Sequence, residues 1–434
     1  MNDTHKRWMR LDNAAKIYPA AKRRNWSALF RLSATLTEPV DPTVLTQALQ
    51  RTLPRFPAFS VHMKPGMFWY YLESAEGKPP VTEDVCCPCT VLRLAENSGF
   101  AFRVRYFENR IAAEFFHALT DGTGGLSFTK TLVAEYLFLK YGLNIPREGD
   151  ILDCGEVPQP EELEDSFLSH ARKVSSSRKE AKAFRIRGKK EKDGFVNLTT
   201  GIIPLETVLE KAREKGVSLT QYLTAVLILA IDTIQRREIR LEKRHKPVKI
   251  CVPINLRQFY DSHTTRNFSS YVNPGIDPKM GAYSFDEVLK IVYHHMGAEA
   301  TEKQLNAKFT TNVRSEQNAL LRVTPLFIKN PIMRMVFNIA GDRKTSSTIS
   351  NLGAVKLPPE MAAYVKRMEL VLGPLSRNPV ACAALSYDGF LYLNFTRTIV
   401  EPKVEREFFT RLVKLGVPVK IESNKNSHLY DGCR

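Results

Sequence analysis

His117 lies in FFHALTDGTGG, Phe115 to Gly125, four residues ahead of the Asp121-Gly122 pair. Imidazole is the commonest general base near neutral pH. The apolar run Ile111 to Phe116 reads as a strand, so His117 stands at a strand end beside a turn, where a side chain can project into a cleft. The same local pattern also describes a histidine buried beside two phenylalanines and hydrogen-bonded in a core, and both readings stand at this level. Asp121 is either a second catalytic group or an anchor that fixes the loop by pairing with an arginine. Its best partner is Arg257, at the end of VPINLR. So apolar a strand is buried, and an arginine at its margin needs a carboxylate; the other reading leaves Arg257 in solvent. Gly122, Gly124 and Gly125 permit close backbone approach and positive φ, yet they match neither the P-loop nor the dinucleotide fingerprint. GxSxG, HExxH and the kinase set are absent from the sequence, so serine-hydrolase, zinc-protease and kinase chemistry has no motif here.

Two groups of elements must position these residues. Ser27 to Thr37 alternates like a strand, Pro42 to Leu53 has a helical period with its proline first, and FSVHM and MFWYYLE form a strand pair across Lys64-Pro65-Gly66. Leu126 to Tyr141 is an amphipathic helix stopped by Gly142. Beyond Ala171 to Lys192, which carries ten Lys or Arg against two Glu, the pattern restarts. FVNLTTGIIP is a strand, Leu205 to Lys215 a helix closed by Gly216, and Leu219 to Gln235 a helix entered through Ser218. VKICVPINLR reads as a buried strand, and TISNLGAVKLP, RMELVLGPL, PVACAALSYDG and FLYLNFTRTIV supply four more. The expected division is residues 1–170, a basic linker 171–192, and residues 193–434. Both halves are mixed sheets with helices, an α/β class of α+β sandwich type, and ligands favour clefts between such domains.

A chain of 434 residues exceeds one ordinary core and fits two domains of roughly 200 residues each. The N-terminal MNDTHKRWMRLDNAAK has no apolar signal, and runs such as Tyr222 to Ile231 fall short of the roughly 20 residues of a membrane span. A cytoplasmic protein is expected. Seven cysteines without regular spacing suit reduced thiols. The cluster Cys86, Cys87 and Cys89 lacks the second pair a metal site needs, so no metal is expected. The net charge of +17 attracts polyanions: nucleic acid, anionic lipid or a phosphorylated cofactor. The basic run itself reads as a solvated linker, and no RNA-binding or zinc-finger signature accompanies it.

The HxxxDG element of FFHALTDG resembles the active-site motif of the CoA-dependent acyltransferase superfamily, which includes chloramphenicol acetyltransferase, peptide-synthetase condensation domains and alcohol acetyltransferases. Order and spacing reinforce the likeness: FRLSATLTEPVDPTVLTQALQRTLPRFPAF, then HxxxDG, then VPINLRQFY with TTRNFSSYVNPG, then TISNLGAVKLP, then SYDGFLYLNF. The alcohol acetyltransferase branch is the most similar. The resemblance implies two chloramphenicol-acetyltransferase-like domains with a channel between them, acyl-CoA as co-substrate and no permanently bound cofactor. By it His117 is the general base toward a hydroxyl or amine acceptor, and Asp121 is structural, paired with Arg257. Gly122 permits the turn and Asn267 is structural. Ser350 and Asn351 are placed to donate to the oxyanion. Arg343 and Lys344 could bind CoA phosphates at a channel mouth, or lie in solvent. Phe116 stands where many relatives carry a second histidine, which argues against a typical condensation domain, and SNLGA replaces the DFGWG of plant enzymes.

Two other functions compete: a condensation-type enzyme whose donor arrives on a carrier-protein phosphopantetheine, and a basic protein that holds nucleic acid or anionic membrane through Ala171 to Lys192. Thr324 to Gly341 mixes bulky apolar residues with Lys329 and Arg334. It reads as a core-facing helix or, if exposed, as a surface for a hydrophobic acceptor with at most peripheral membrane contact.

Overall fold

The computed structural model describes residues 8–22, 26–174, 180–337 and 343–425. The first seven residues of the N-terminal stretch, residues 175–179 of the basic run and residues 338–341 of the Thr324 to Gly341 segment therefore lie outside the described residues. The fold is mixed α/β, with two large sheets and one small one.

The first sheet runs in the order Val365–Leu372, Leu29–Leu36, Arg110–Phe116, Phe102–Phe107, Val81–Glu83, antiparallel except for the last pair. Its alternation separates two environments. Phe30, Phe102 and Phe115 face the helices and stack with Phe59 and Phe128, while Arg31, Arg103 and Glu114 form a buried ion cluster on the other side. Helix Pro42–Thr52 begins at Asp41, whose carboxylate accepts from Thr43 N and Val44 N. The C-terminal half donates Val365–Leu372 to this sheet, so residues 171–192 do not by themselves separate the two sheets.

The second sheet runs Ser269–Val272, Val248–Asn255, Ser347–Ala354, Val380–Tyr387, Phe390–Arg397, Asn197–Pro204, Lys420–Ser423. Ser347–Ala354 is parallel to both of its neighbours and the remaining pairs are antiparallel. Every residue of Val380–Tyr387 is buried, and its alternation explains why. Ala383, Leu385 and Tyr387 join the core of the first lobe, whereas Cys382 and Ala384 join that of the second. A strand with cores on both faces must be apolar throughout. Helix Leu219–Glu238 closes the second lobe, entered through a Ser218–Gln221 capping box.

The basic run is exposed over most of its described residues, but part of it docks against the fold. Phe184 and Ile186 are buried, Phe184 N donates to Pro247 O, and Lys190 bridges to Ile399. The alternation in Phe184-Arg185-Ile186-Arg187 is that of an extended segment docked on one side, with its arginines turned outward. Cys89, Cys154 and Cys382 are free thiols. Cys86 is disulfide-bonded, which departs from the expectation of reduced cysteines throughout. Among the described residues no single helix is long and apolar enough to cross a membrane.

Candidate active site

His117 follows the strand Arg110–Phe116 directly, and its N–H donates to Ala28 O at 2.8 Å. The ring is half-buried and lines a cavity of about 350 Å³ between the lobes, with Tyr18, Asn255, Ser350, Leu352 and Gly373. Tyr18 stacks on it at 4.9 Å between centroids, and Phe30 meets it edge-on at 5.3 Å. Of the two readings left open by the local pattern, the sealed-core one does not describe this ring.

The imidazole is oriented by a relay from the distant chain. His117 Nδ1 lies 3.0 Å from Asn267 Oδ1, and Asn267 Nδ2 donates to Asp12 Oδ2 at 3.1 Å. Asp12 takes a second donor, Ala15 N, at 2.7 Å. A carboxylate only accepts, so it fixes the Asn267 amide with its oxygen toward the histidine. That oxygen also only accepts. The ring proton is therefore assigned to Nδ1, and Nε2 keeps its lone pair. Burial pushes the Asp12 carboxyl up, while Arg266, Asn267 and the Ala15 N–H pull it back.

Asp165 adds charge behind this relay. Its Oδ2 accepts from Asn13 N at 2.9 Å; burial pushes its pKa up to about 7, and the neighbouring Asp12 acts in the same direction. A folded value above the unfolded one means that stability is lost as pH rises from the ordinary carboxylate range through about 7. Asp165→Asn carries no charge at any pH. It is expected to stabilise the fold at pH 8, by at most about 4 kcal/mol, and to change little at pH 4, as measured by thermal unfolding at both values.

Asp121 is the N-cap of helix Gly122–Tyr141. One oxygen accepts from Thr123 N and Gly124 N, and the other from Arg257 Nη1 and Phe268 N, both at 2.8 Å. Arg257 sits in the turn just after strand Val248–Asn255 and also donates to Thr264 O at 2.8 Å and Arg266 O at 2.6 Å. Both side chains thus grip one loop, residues 264–268, and that loop carries Asn267. Thr120 Oγ1 adds a 2.6 Å bond to Thr265 O.

The glycines work differently from the expectation of positive φ. None of Gly122, Gly124 and Gly125 is left-handed; all three lie in the first turn of the helix. A Cβ on Gly124 would fall on Thr265 O, and one on Gly122 would lie 2.6 Å from the Leu352 side chain. Gly122 and Gly124 allow the second lobe to touch the helix N-terminus, whereas Gly125 lets the helix pack on Phe30 and Phe115 of the first sheet, and Gly122 makes no turn.

Ser350 lines the cavity. Asn351 lines it too, but its amide donates to Thr220 Oγ1 at 3.0 Å and its oxygen accepts from Gly353 N at 2.9 Å, so both ends are engaged. Lys344 is buried and lines the His117 cavity. Arg343 lines a neighbouring depression of about 240 Å³ with Lys182, Arg185, Lys246 and Arg377. This depression adjoins the cavity that Lys344 lines, sharing Thr345 and Asn378 with it. A larger groove, about 1290 Å³, shares Trp26, Pro374, Leu375, Ser376 and Asn378 with the His117 cavity. Arg185, Arg187, Lys190, Arg240, Arg244, Lys246 and Arg377 line it, against Glu191 and Glu238. The basic run supplies the first three; the others come from segments that sequence reasoning passed over, as it passed over Tyr18 and Asp12. Among the described residues no group of three or more His, Cys, Asp or Glu could hold a metal ion.

No family model matches the chain, and no curated protein matches it. Solved structures do resemble it. The first condensation domain of the calcium-dependent antibiotic synthetase superposes with a TM-score of 0.60 at 14% identity, covering 93% of this chain and 95% of that one. Trichothecene 15-O-acetyltransferase from Fusarium sporotrichioides gives 0.59 at 10%, covering 94% of each. A variant of the starter condensation domain of rhizomide synthetase, in complex with C8-CoA, gives 0.58 at 12%, again covering 94% of each. The chain has the two-lobed fold of the CoA-dependent acyltransferases and condensation domains.

Proposed function

We propose that this protein is an acyltransferase that moves an acyl group from acyl-CoA to a hydroxyl or amine acceptor, in the manner of an alcohol O-acetyltransferase. The observation that carries the reading is the His117 Nδ1 to Asn267 to Asp12 relay, which leaves Nε2 as a base in an interlobe cavity. In the reaction Nε2 takes the acceptor's proton while the acceptor heteroatom attacks the thioester carbonyl. The tetrahedral oxyanion collapses, the carbon–sulfur bond breaks, and the imidazolium proton goes to the departing thiolate. Ser350, which lines the cavity, serves the oxyanion better than Asn351, whose amide is already engaged. Asp121, Gly122 and Arg257 hold the interlobe seam. Lys344 inside the cavity and the arginine-lined groove that adjoins it suit the phosphates of CoA, and Arg343 plays a part only through the neighbouring depression. A cytoplasmic setting belongs to the same reading.

The two condensation domains among the similar structures favour one second reading, in which the donor is carried on a carrier-protein phosphopantetheine. Release of free thiol from a panel of acyl-CoAs, with alcohols and amines as acceptors, tests both. Acceptor-dependent thiol release from acyl-CoA is expected. Transfer from acyl-carrier protein alone would replace the donor, and inertness toward both would remove the acyl-transfer reading.

A further inference from the structure

Helix Leu326–Val336 is built inside out. Its lysine faces inward: Lys329 is 1% exposed, with Nζ 3.4 Å from the centre of the Trp69 ring and donating to Phe68 O at 2.7 Å. Asn330 reaches Tyr70 OH on the same side at 3.1 Å. Apart from the buried Leu326 and the half-buried Met333, its large apolar side chains face water instead. Phe327 is 76% exposed, and Ile328, Ile332 and Met335 are exposed with it. These positions fall within one face of the helix. The preceding helix Ala319–Val323 adds Leu320, 75% exposed, and Val323. Met67, whose carbonyl accepts from Leu326 N, extends the patch. A helix that rests against water turns its apolar stripe to the core, and soluble proteins rarely expose so contiguous an apolar surface.

Charge and position identify what covers it. From Ala319 to Phe337 the chain holds Arg322, Lys329 and Arg334 and no acidic residue, within a molecule of net charge +17. Arg322 and Arg334 are exposed beside the apolar face. The helix ends at the site: Phe337 lies against Trp26, 6.0 Å between ring centroids, and both line the His117 cavity. Arg334 Nε also donates to Ala20 O, at the end of the short helix that carries Tyr18. We infer that this face docks on an anionic lipid bilayer, with Phe327, Ile328, Ile332 and Leu320 entering the acyl region and Arg322 and Arg334 meeting the headgroups. Docking of this kind is peripheral, and it brings one mouth of the cavity to the membrane, where an apolar acceptor would be found.

Flotation of the full chain with vesicles tests the inference and does not depend on turnover, so its outcome is separate from that of the acyl-transfer reading. The wild type is expected to float with phosphatidylcholine vesicles containing roughly a third phosphatidylserine, and much less with phosphatidylcholine alone, because each nearby cation adds attraction to an anionic surface. Phe327→Asp with Ile332→Asp, both on exposed positions and checked for an unchanged unfolding midpoint, is expected to lose roughly tenfold or more in partitioning. Three results overturn the inference: a wild type that floats with neither vesicle or equally with both, a double variant that floats as well as the wild type, or a dimer in sedimentation velocity that the double variant abolishes while no vesicle binds.

Discussion

His117→Ala is expected to lose acyl transfer by roughly 10²- to 10⁴-fold, the range for removal of a general base, with its unfolding midpoint within a few degrees of the wild type. The two halves of that expectation have separate sources. The ring is half-buried at a cavity wall and makes one side-chain hydrogen bond, to Asn267, so its removal opens space that water can fill beside Asn267 Oδ1. Stability therefore changes little, while the lone pair that accepts the acceptor's proton is gone. Asn267 acts only through the ring, so Asn267→Ala added to His117→Ala should lower the residual rate no further. Thiol release under saturating acyl donor, read beside thermal unfolding, measures both. Turnover at the wild-type rate would take His117 out of the chemistry.

What sequence could tell followed from what is local. Alternation and capping residues gave the strands Leu29–Leu36 and Val248–Asn255 and the helix Leu219–Glu238 within a few residues. Arg257 could be matched with Asp121 because an arginine closing an apolar strand needs a carboxylate, and the structure sets the pair at 2.8 Å. What depended on docking was hidden. Asp12 and Asn267 lie 255 positions apart and meet only when the lobes close. Val365–Leu372 reads as a strand but carries no mark of the sheet it joins. The three glycines suggested a left-handed turn, whereas Gly124 and Gly122 are constrained by Thr265 and Leu352 arriving from elsewhere, and Gly125 by Phe30 and Phe115 of the first sheet. In Leu326–Val336 the periodicity is visible, but periodicity alone does not say which face is buried, and here Lys329 goes in while Phe327 stays out.

Arg257→Ala should be the most destabilising change at the interlobe seam, costing on the order of 3–5 kcal/mol, as expected when one member of a buried pair is removed. Asp121 Oδ2 would keep only Phe268 N, and the carbonyls of Thr264 and Arg266 would lose their donor. Asp121→Asn fails for a different reason. Asparagine still caps the helix through Oδ1, but its Nδ2 donors would face Arg257 Nη1 and Phe268 N, so donors would oppose donors. Removing the guanidinium as well relieves most of that conflict, and the double variant should be about as stable as Arg257→Ala alone, not the sum of the two. Activity should fall in step with stability in all three, because the loop that both residues hold carries Asn267 and thereby sets the tautomer of His117. Strictly additive losses in denaturant unfolding would mean that Asp121 and Arg257 hold different things. The position of the 264–268 loop would then have to come from the Thr120 to Thr265 bond and the close passage at Gly124.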